Sequence, residues 1–302
     1  MDAFWIILTG VLAACACALV GTFLMLRRMT LVGDAISHAV LPGIVLAFLF
    51  SGSRDPLPML LGAGALGVLA AVMIELLHRR GGMQSDAAIG VTFTWLFALG
   101  VILVTWFAGQ VDLDLDCVLY GEILYVPLDQ WITASGASLG PRAVWMLGGV
   151  AVVAVLFVVV GFKELTVTTF DPVFAATIGI SATLWHYALM GVVSVVTVGA
   201  FESVGAILVV AMLTAPPATA LLLTRSLRSA LLLACLFGGA ASVGGYYLAA
   251  LIDGSIAGAI AVVAGGQFAV VLLLRGRRGL LQRGRAGTAS EMPSDSLPAR
   301  TS

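Results

Sequence analysis

Residues 31–48 read LVGDAISHAVLPGIVLAF. An aspartate and a histidine stand four residues apart, and a Pro-Gly step interrupts the run one turn later. The chain on either side is almost uniformly apolar. Whether this stretch lies within a membrane decides the fold. An ionised group at the centre of a lipid-buried helix costs about 2.5–3.5 kcal/mol or more, so its presence there demands a reason.

The composition places it in the membrane. Of 302 residues, 61% are hydrophobic and 10% charged, against roughly 25% charged in a soluble domain. Apolar runs recur near 5–26, 34–52, 57–77, 87–108, 143–162, 182–200, 203–223, 229–251 and 255–274. Each is close to the length a helix needs to cross hydrocarbon, and none shows the alternation of a barrel strand. The expected fold is an all-α integral membrane protein, a polytopic bundle of eight or nine transmembrane helices.

Positive charge is sorted along the chain although the net charge is only −1. Arg27, Arg28, Arg79, Arg80, Lys163, Arg225, Arg228 and the group Arg275, Arg277, Arg278, Arg283 and Arg285 fall in one set of alternating connections, and Arg54 and Arg142 in the other. The positive-inside rule then puts the N-terminus outside and the C-terminus in the cytoplasm. LAAC at 12–15 matches a lipoprotein cleavage box, but no Lys or Arg precedes it and the apolar run continues to Leu26. The stretch reads as a retained first span. Cys15, Cys17 and Cys235 fall in spans and pack as small hydrophobes; Cys117 lies alone in an external loop.

Two connections stand out. The external one, 109–141, contains QVDLDLDCVLYGEILYVPLDQW. Asp112, Asp114, Asp116, Glu122 and Asp129 give it an acidic surface, and its apolar centre suggests a part that dips back or lies at the interface. The cytoplasmic one, KELTVTTFDPVFAATIGIS at 163–181, holds Asp171 followed by Pro172, an N-cap with proline at the first helical position. Val173, Phe174 and Ile178, with the small Ala175, Ala176 and Gly179, suit a short helix that docks on a separate soluble protein or simply an interfacial connector. From Gly276 the composition turns to Gly, Arg, Ser, Pro and Thr without apolar periodicity. A membrane domain over 1–275 and a disordered tail over 276–302, basic and then Ser/Pro-rich, are therefore expected.

Asp34 and His38, at i and i+4, share one helix face, with Ser37 beside them. Carboxylate and imidazole suit divalent manganese, zinc or ferrous iron. Two ligands make an incomplete site, which fits a pathway where the ion must be released; a dimer axis near this helix would supply four. The alternative is a structural Asp–His pair. Pro42 and Gly43 break or kink the helix and free backbone carbonyls. Glu202, between two spans near the outer face, is a weaker cation stop or an interfacial carboxylate. Glu75 and His78 read as span-end residues beside Arg79, and His186 as an interface histidine. Pro216 and Pro217 mark a packing or gating element within 205–224. No serine–histidine–acid set is present, which points away from an enzyme. Nor is there a GxxxxGK[ST] phosphate loop, so any ATP use belongs to another protein.

LVGDAISHAVLPGIVLAF at 31–48, FDPVFAATIGIS at 170–181 and ESVGAILVVAMLTAPPATALLLT at 202–224 together resemble the permease subunits of bacterial ABC importers for manganese, zinc and iron. DLDLDCVLYGE at 112–122 is similar to the manganese-type branch. The resemblance implies a type II importer fold like that of the vitamin B12 importers, with two permeases around a central pathway. It implies a cytoplasmic ATPase dimer, an extracytoplasmic metal-binding protein, no permanently bound cofactor and no nucleic acid. It makes 170–181 a coupling helix and matches Asp34 and His38 to the family's GDxxxH positions along the path. The expected function is that of a permease for divalent transition metals, with a secondary, proton-coupled metal transporter as the rival.

Overall fold

The computed structural model describes residues 2–39, 41–51, 56–107, 123–132 and 138–289. Among these, nine helices are long and apolar enough to cross a membrane. In chain order the helices begin with α1 (Asp2–Leu26), α2 (Leu31–Ala39) and α3 (Leu41–Ser51), the last two lying in one span on either side of Val40, which is outside the described residues. They continue with α4 (Pro56–Arg79), α5 (Ser85–Phe107) and α6 (Arg142–Val160), then two short helices, α7 (Phe162–Phe170) and α8 (Pro172–Thr177). Four long helices complete the chain: α9 (Ala182–Val204), α10 (Ala206–Leu223), α11 (Leu227–Ile252) and α12 (Ile256–Ala289). Every span read from the apolar runs is present, with boundaries shifted by a few residues.

Two features depart from the sequence reading. The connection 109–141 holds a short antiparallel pair, β1 (Gln130–Ile132) and β2 (Ser138–Pro141), after a 3-10 turn at Val126–Leu128. Ile123 and Val126 are buried there; the rest of the apolar centre, with Asp112, Asp114, Asp116, Cys117 and Glu122, lies outside the described residues. The last helix runs to Ala289, past the boundary at 275 that composition sets. Leu and Arg are good helix formers, and extending a helix that already exists avoids the cost of nucleation. Residues 290–302 lie outside the described residues.

Helix α1 forms the centre. Small side chains let its neighbours approach closely, the arrangement that drives association where lipid removes the hydrophobic difference. Gly10 faces Ser242 and Gly238 faces Ala14, while Ala18 and Ala234 share a buried cluster, so α1 and α11 pack antiparallel in steps of four residues. α1 also packs on α6, α9 and α10. A second group, α2 to α5, packs among itself; α3 meets α4 where Gly43 lies against the Gly62 carbonyl, which a Cβ would approach to 2.5 Å. α9 lies between the groups, touching α2 and α4 on one side and α1 and α6 on the other.

Basic residues gather at one end. Arg27 donates to Thr168 Oγ1 at 3.0 Å and to Thr169 Oγ1 at 3.1 Å in α7, and burial lowers its guanidinium below the usual value. Arg228 lies 5.3 Å over the Phe162 ring, and Arg275 donates to the Leu222 carbonyl. These contacts bring the turns after α1, α6 and α10 and the middle of α12 to a common surface.

Candidate functional site

In α2 the acid stands in the first turn, where the helix dipole favours it, and the histidine one turn further on. Val32, Gly33, Ala35, Ile36, Ser37 and Ala39 are buried. Gly33 abuts Leu213 of α10 and Ile36 lies over Gly67 of α4. The remaining face carries Asp34 and His38, whose side chains are 45% and 33% exposed and whose Oδ1 and Nε2 lie 3.6 Å apart. Two donors bound to one ion at about 2.1 Å each stand roughly 3.0–3.5 Å apart, so the pair needs little adjustment to hold a cation. Phe97 meets the His38 ring edge-on, with centroids 5.8 Å apart, and Phe93 lies at 6.0 Å, so α5 fixes the imidazole from one side.

Ser37 does not join them: its hydroxyl donates to the Asp34 carbonyl at 2.6 Å and is buried. Among the described residues no group of three or more His, Cys, Asp or Glu is placed to hold a metal ion. Among the described residues the site thus has two donors on an open face. Glu202 lies in the last turn of α9, just before Gly205, whose φ of +81° turns the chain directly into α10. The Glu202 side chain lies outside the described residues.

Pro42 and Gly43 brace this region rather than line it. Gly100 of α5 lies against the Pro42 ring, where a Cβ would stand 2.8 Å from Cδ. Pro216 and Pro217 are buried inside α10, which continues through them. Pro217 cannot donate to the Leu213 carbonyl, and that freed oxygen is covered by Gly21 of α1, where a Cβ would overlap it. α1, α2 and α10 therefore meet at Leu213.

The 170–181 segment is built as a separate, well-capped element. Asp171 Oδ1 accepts from the Phe174 N–H at 2.8 Å, and Pro172 takes the first helical position. At the other end Ile180 N donates to Ala175 O and Gly179 N to Ala176 O, with Gly179 at φ +81°. This is a Schellman motif, which needs the left-handed residue that glycine supplies. Ala175 is buried, whereas Val173 and Phe174 are 75% and 52% exposed and Ala176 and Gly179 are open. An apolar surface held this rigidly suits a protein groove.

One pair was not legible in the sequence. Glu75 of α4 lies against His186 of α9, Oε2 to Nε2 3.4 Å, with both side chains about nine-tenths buried. His78, read with Glu75 as a span-end residue beside Arg79, has Nδ1 2.8 Å from the Met83 carbonyl; the Arg79 side chain lies outside the described residues. The 111-residue separation of Glu75 and His186 leaves no local pattern to find.

A model of the ABC 3 transport family matches residues 3–275. The chain is 48% identical over 279 residues to the manganese transport system membrane protein MntD of Bacillus subtilis, covering 92% of this chain and 94% of that one. It is 47% identical over 278 residues to the zinc transport system membrane protein TroD of Treponema pallidum, covering 92% and 75%. Among solved structures it is similar to PsaBC from Streptococcus pneumoniae in complex with a Fab, at TM-score 0.73 and 34% identity over 88% of this chain and 89% of that one.

Proposed function

The chain belongs to the ABC 3 transport family, and on that premise we propose that it is the membrane permease subunit of an ATP-driven importer of divalent transition-metal ions. Manganese is favoured among manganese, zinc and iron, since the relative at 48% identity carries a manganese name and the one at 47% a zinc name. The protein crosses the cell membrane several times, with its basic end in the cytoplasm and its N-terminus outside. It works as a homo- or heterodimer of permeases with a cytoplasmic ATPase dimer and an extracytoplasmic metal-binding protein.

The observation that carries this reading is the Asp34–His38 pair: two donors suited to the cation, set 3.6 Å apart on the open face of an otherwise buried helix. A site of two ligands holds the ion weakly, as release demands, and a second permease facing it would complete the coordination. α8 docks into the ATPase through Val173 and Phe174. Binding, ATP-driven movement and release then alternate between two arrangements of the helices around the pathway.

Manganese accumulation in cells lacking their own importer, complemented with the full transporter, tests the reading. Asp34→Ala and His38→Ala are expected to reduce uptake to background while the protein still inserts. Wild-type uptake in both variants would remove the pair from the pathway.

A further inference from the structure

We propose that Arg27 is a positioning residue whose bonds to α7 tie the docking element α8 to the turn from which α2, the helix of Asp34 and His38, begins. The inference rests on the reading of α8 as the ATPase-docking element.

α1 ends in a Schellman motif. Met29 N donates to Leu24 O at 2.9 Å and Arg28 N to Met25 O at 3.1 Å, with Arg28 in the left-handed position at φ +59°. Glycine is the usual residue there, and an arginine keeps that conformation only where the surrounding bonds determine it. Leu24 is buried and Met29 packs on the same core, the apolar contact that accompanies this motif. Val32 N then donates to Met29 O at 3.1 Å, and α2 starts at Leu31. The turn is therefore bonded on both sides, to the last turn of α1 and to the first turn of α2. Asp34 stands in that first turn.

The Arg27 side chain leaves this turn towards α7. It is half-buried, whereas Arg28 is exposed. Nη2 donates to Thr168 Oγ1 at 3.0 Å and Nε to Thr169 Oγ1 at 3.1 Å, so one planar group grips two adjacent hydroxyls in a fixed orientation. Thr168 is buried, and its own hydroxyl proton goes to the Glu164 carbonyl at 2.8 Å, which leaves its lone pairs for the guanidinium. Both threonines stand in the last turn of α7, and Asp171, the next residue after that helix, is the N-cap of α8. Asp171 N donates to the Val167 carbonyl and its own carbonyl accepts from Ala175 N, so α7 and α8 are joined as one piece. α7 and α8 also pack on α9, and α9 on α2. Arg27 adds a connection of another kind, since hydrogen bonds from a charged donor are about twice as strong as neutral ones and hold only over a narrow range of distance and angle. A displacement of α7 either breaks both bonds or carries the turn, and the start of α2, with it.

The test uses the permease with its ATPase and binding protein in proteoliposomes, measuring manganese accumulated and ATP hydrolysed in the same vesicles. Arg27→Met, and separately Thr168→Val together with Thr169→Val, are expected to keep the ATPase bound and hydrolysing. Manganese moved per ATP is expected to fall in both at least about fivefold, the low end of ordinary coupling between sites. Thr168→Ser with Thr169→Ser keeps both hydroxyls and is expected to give the wild-type ratio. Arg28→Gly, which removes an exposed charge from the same turn, is expected to give it too. Should Arg27→Met fail to insert, the valine pair, which changes no charge and little volume, decides alone. An unchanged ratio in Arg27→Met or in the valine pair overturns the inference, as does a serine pair or Arg28→Gly as low as the valine pair. Wild-type vesicles without ATP-dependent uptake overturn the permease reading itself, and the inference with it.

Discussion

Gly21 has no side chain, and the Leu213 carbonyl occupies the space one would take. That oxygen lost its helical donor to Pro217, four residues on, so two residues on different helices are tied by one backbone atom. Gly21→Ala is expected to force α1 and α10 apart, at a cost of about 1–3 kcal/mol. The measurement is the apparent Tm in detergent, and an unchanged melting point would show that the contact relaxes freely. At this scale the sequence announced what was local. Asp34 and His38 share a helix face by spacing alone, and Pro216 and Pro217 mark themselves as unusual in a span. Glu75 and His186 carry no such mark, because helix register between α4 and α9 is set by packing that a single sequence does not display.

The element that speaks most directly about partners is α8. Six residues are too few to hold a helix in water, since nucleation is costly and each short turn gains little, so its capping at both ends is what keeps it formed. Asp171→Ala removes the N-cap and is expected to cost about 1 kcal/mol locally, visible as faster amide exchange at Phe174 and little change in Tm. Phe174→Asp is expected to leave insertion intact, because the ring is half exposed, and to reduce ATPase co-purification about tenfold if Phe174 is an anchor of that interface. Undiminished co-purification would move the docking surface elsewhere. Asp171, Pro172 and Gly179 made this helix readable in advance, through residue types whose backbone preferences are narrow. The extension of α12 to Ala289 was not readable in the same way. It depends on whether a helix already formed continues, and composition averages over such boundaries.

The described residues form two groups of helices joined by α9 and, through its packing on α2, by α10, and the face that carries Asp34 and His38 is open. A transport site that lay entirely within one chain would enclose its donors; here the donors face outward and the burial lies behind them. On the proposed function, pairing with a second permease would complete the ligand set and make the site depend on how the two copies sit, the variable an ATPase could drive. The span count was legible because apolar runs of membrane length are nearly unambiguous, whereas the grouping of those spans was not. The central claim is that Asp34 and His38 form half of an ATP-driven cation pathway. It is tested most directly by radioactive manganese uptake into proteoliposomes holding the full complex, with and without ATP, for wild type and Asp34→Ala. The account predicts accumulation only with ATP and only in wild type; accumulation without ATP, or undiminished in the variant, would contradict it.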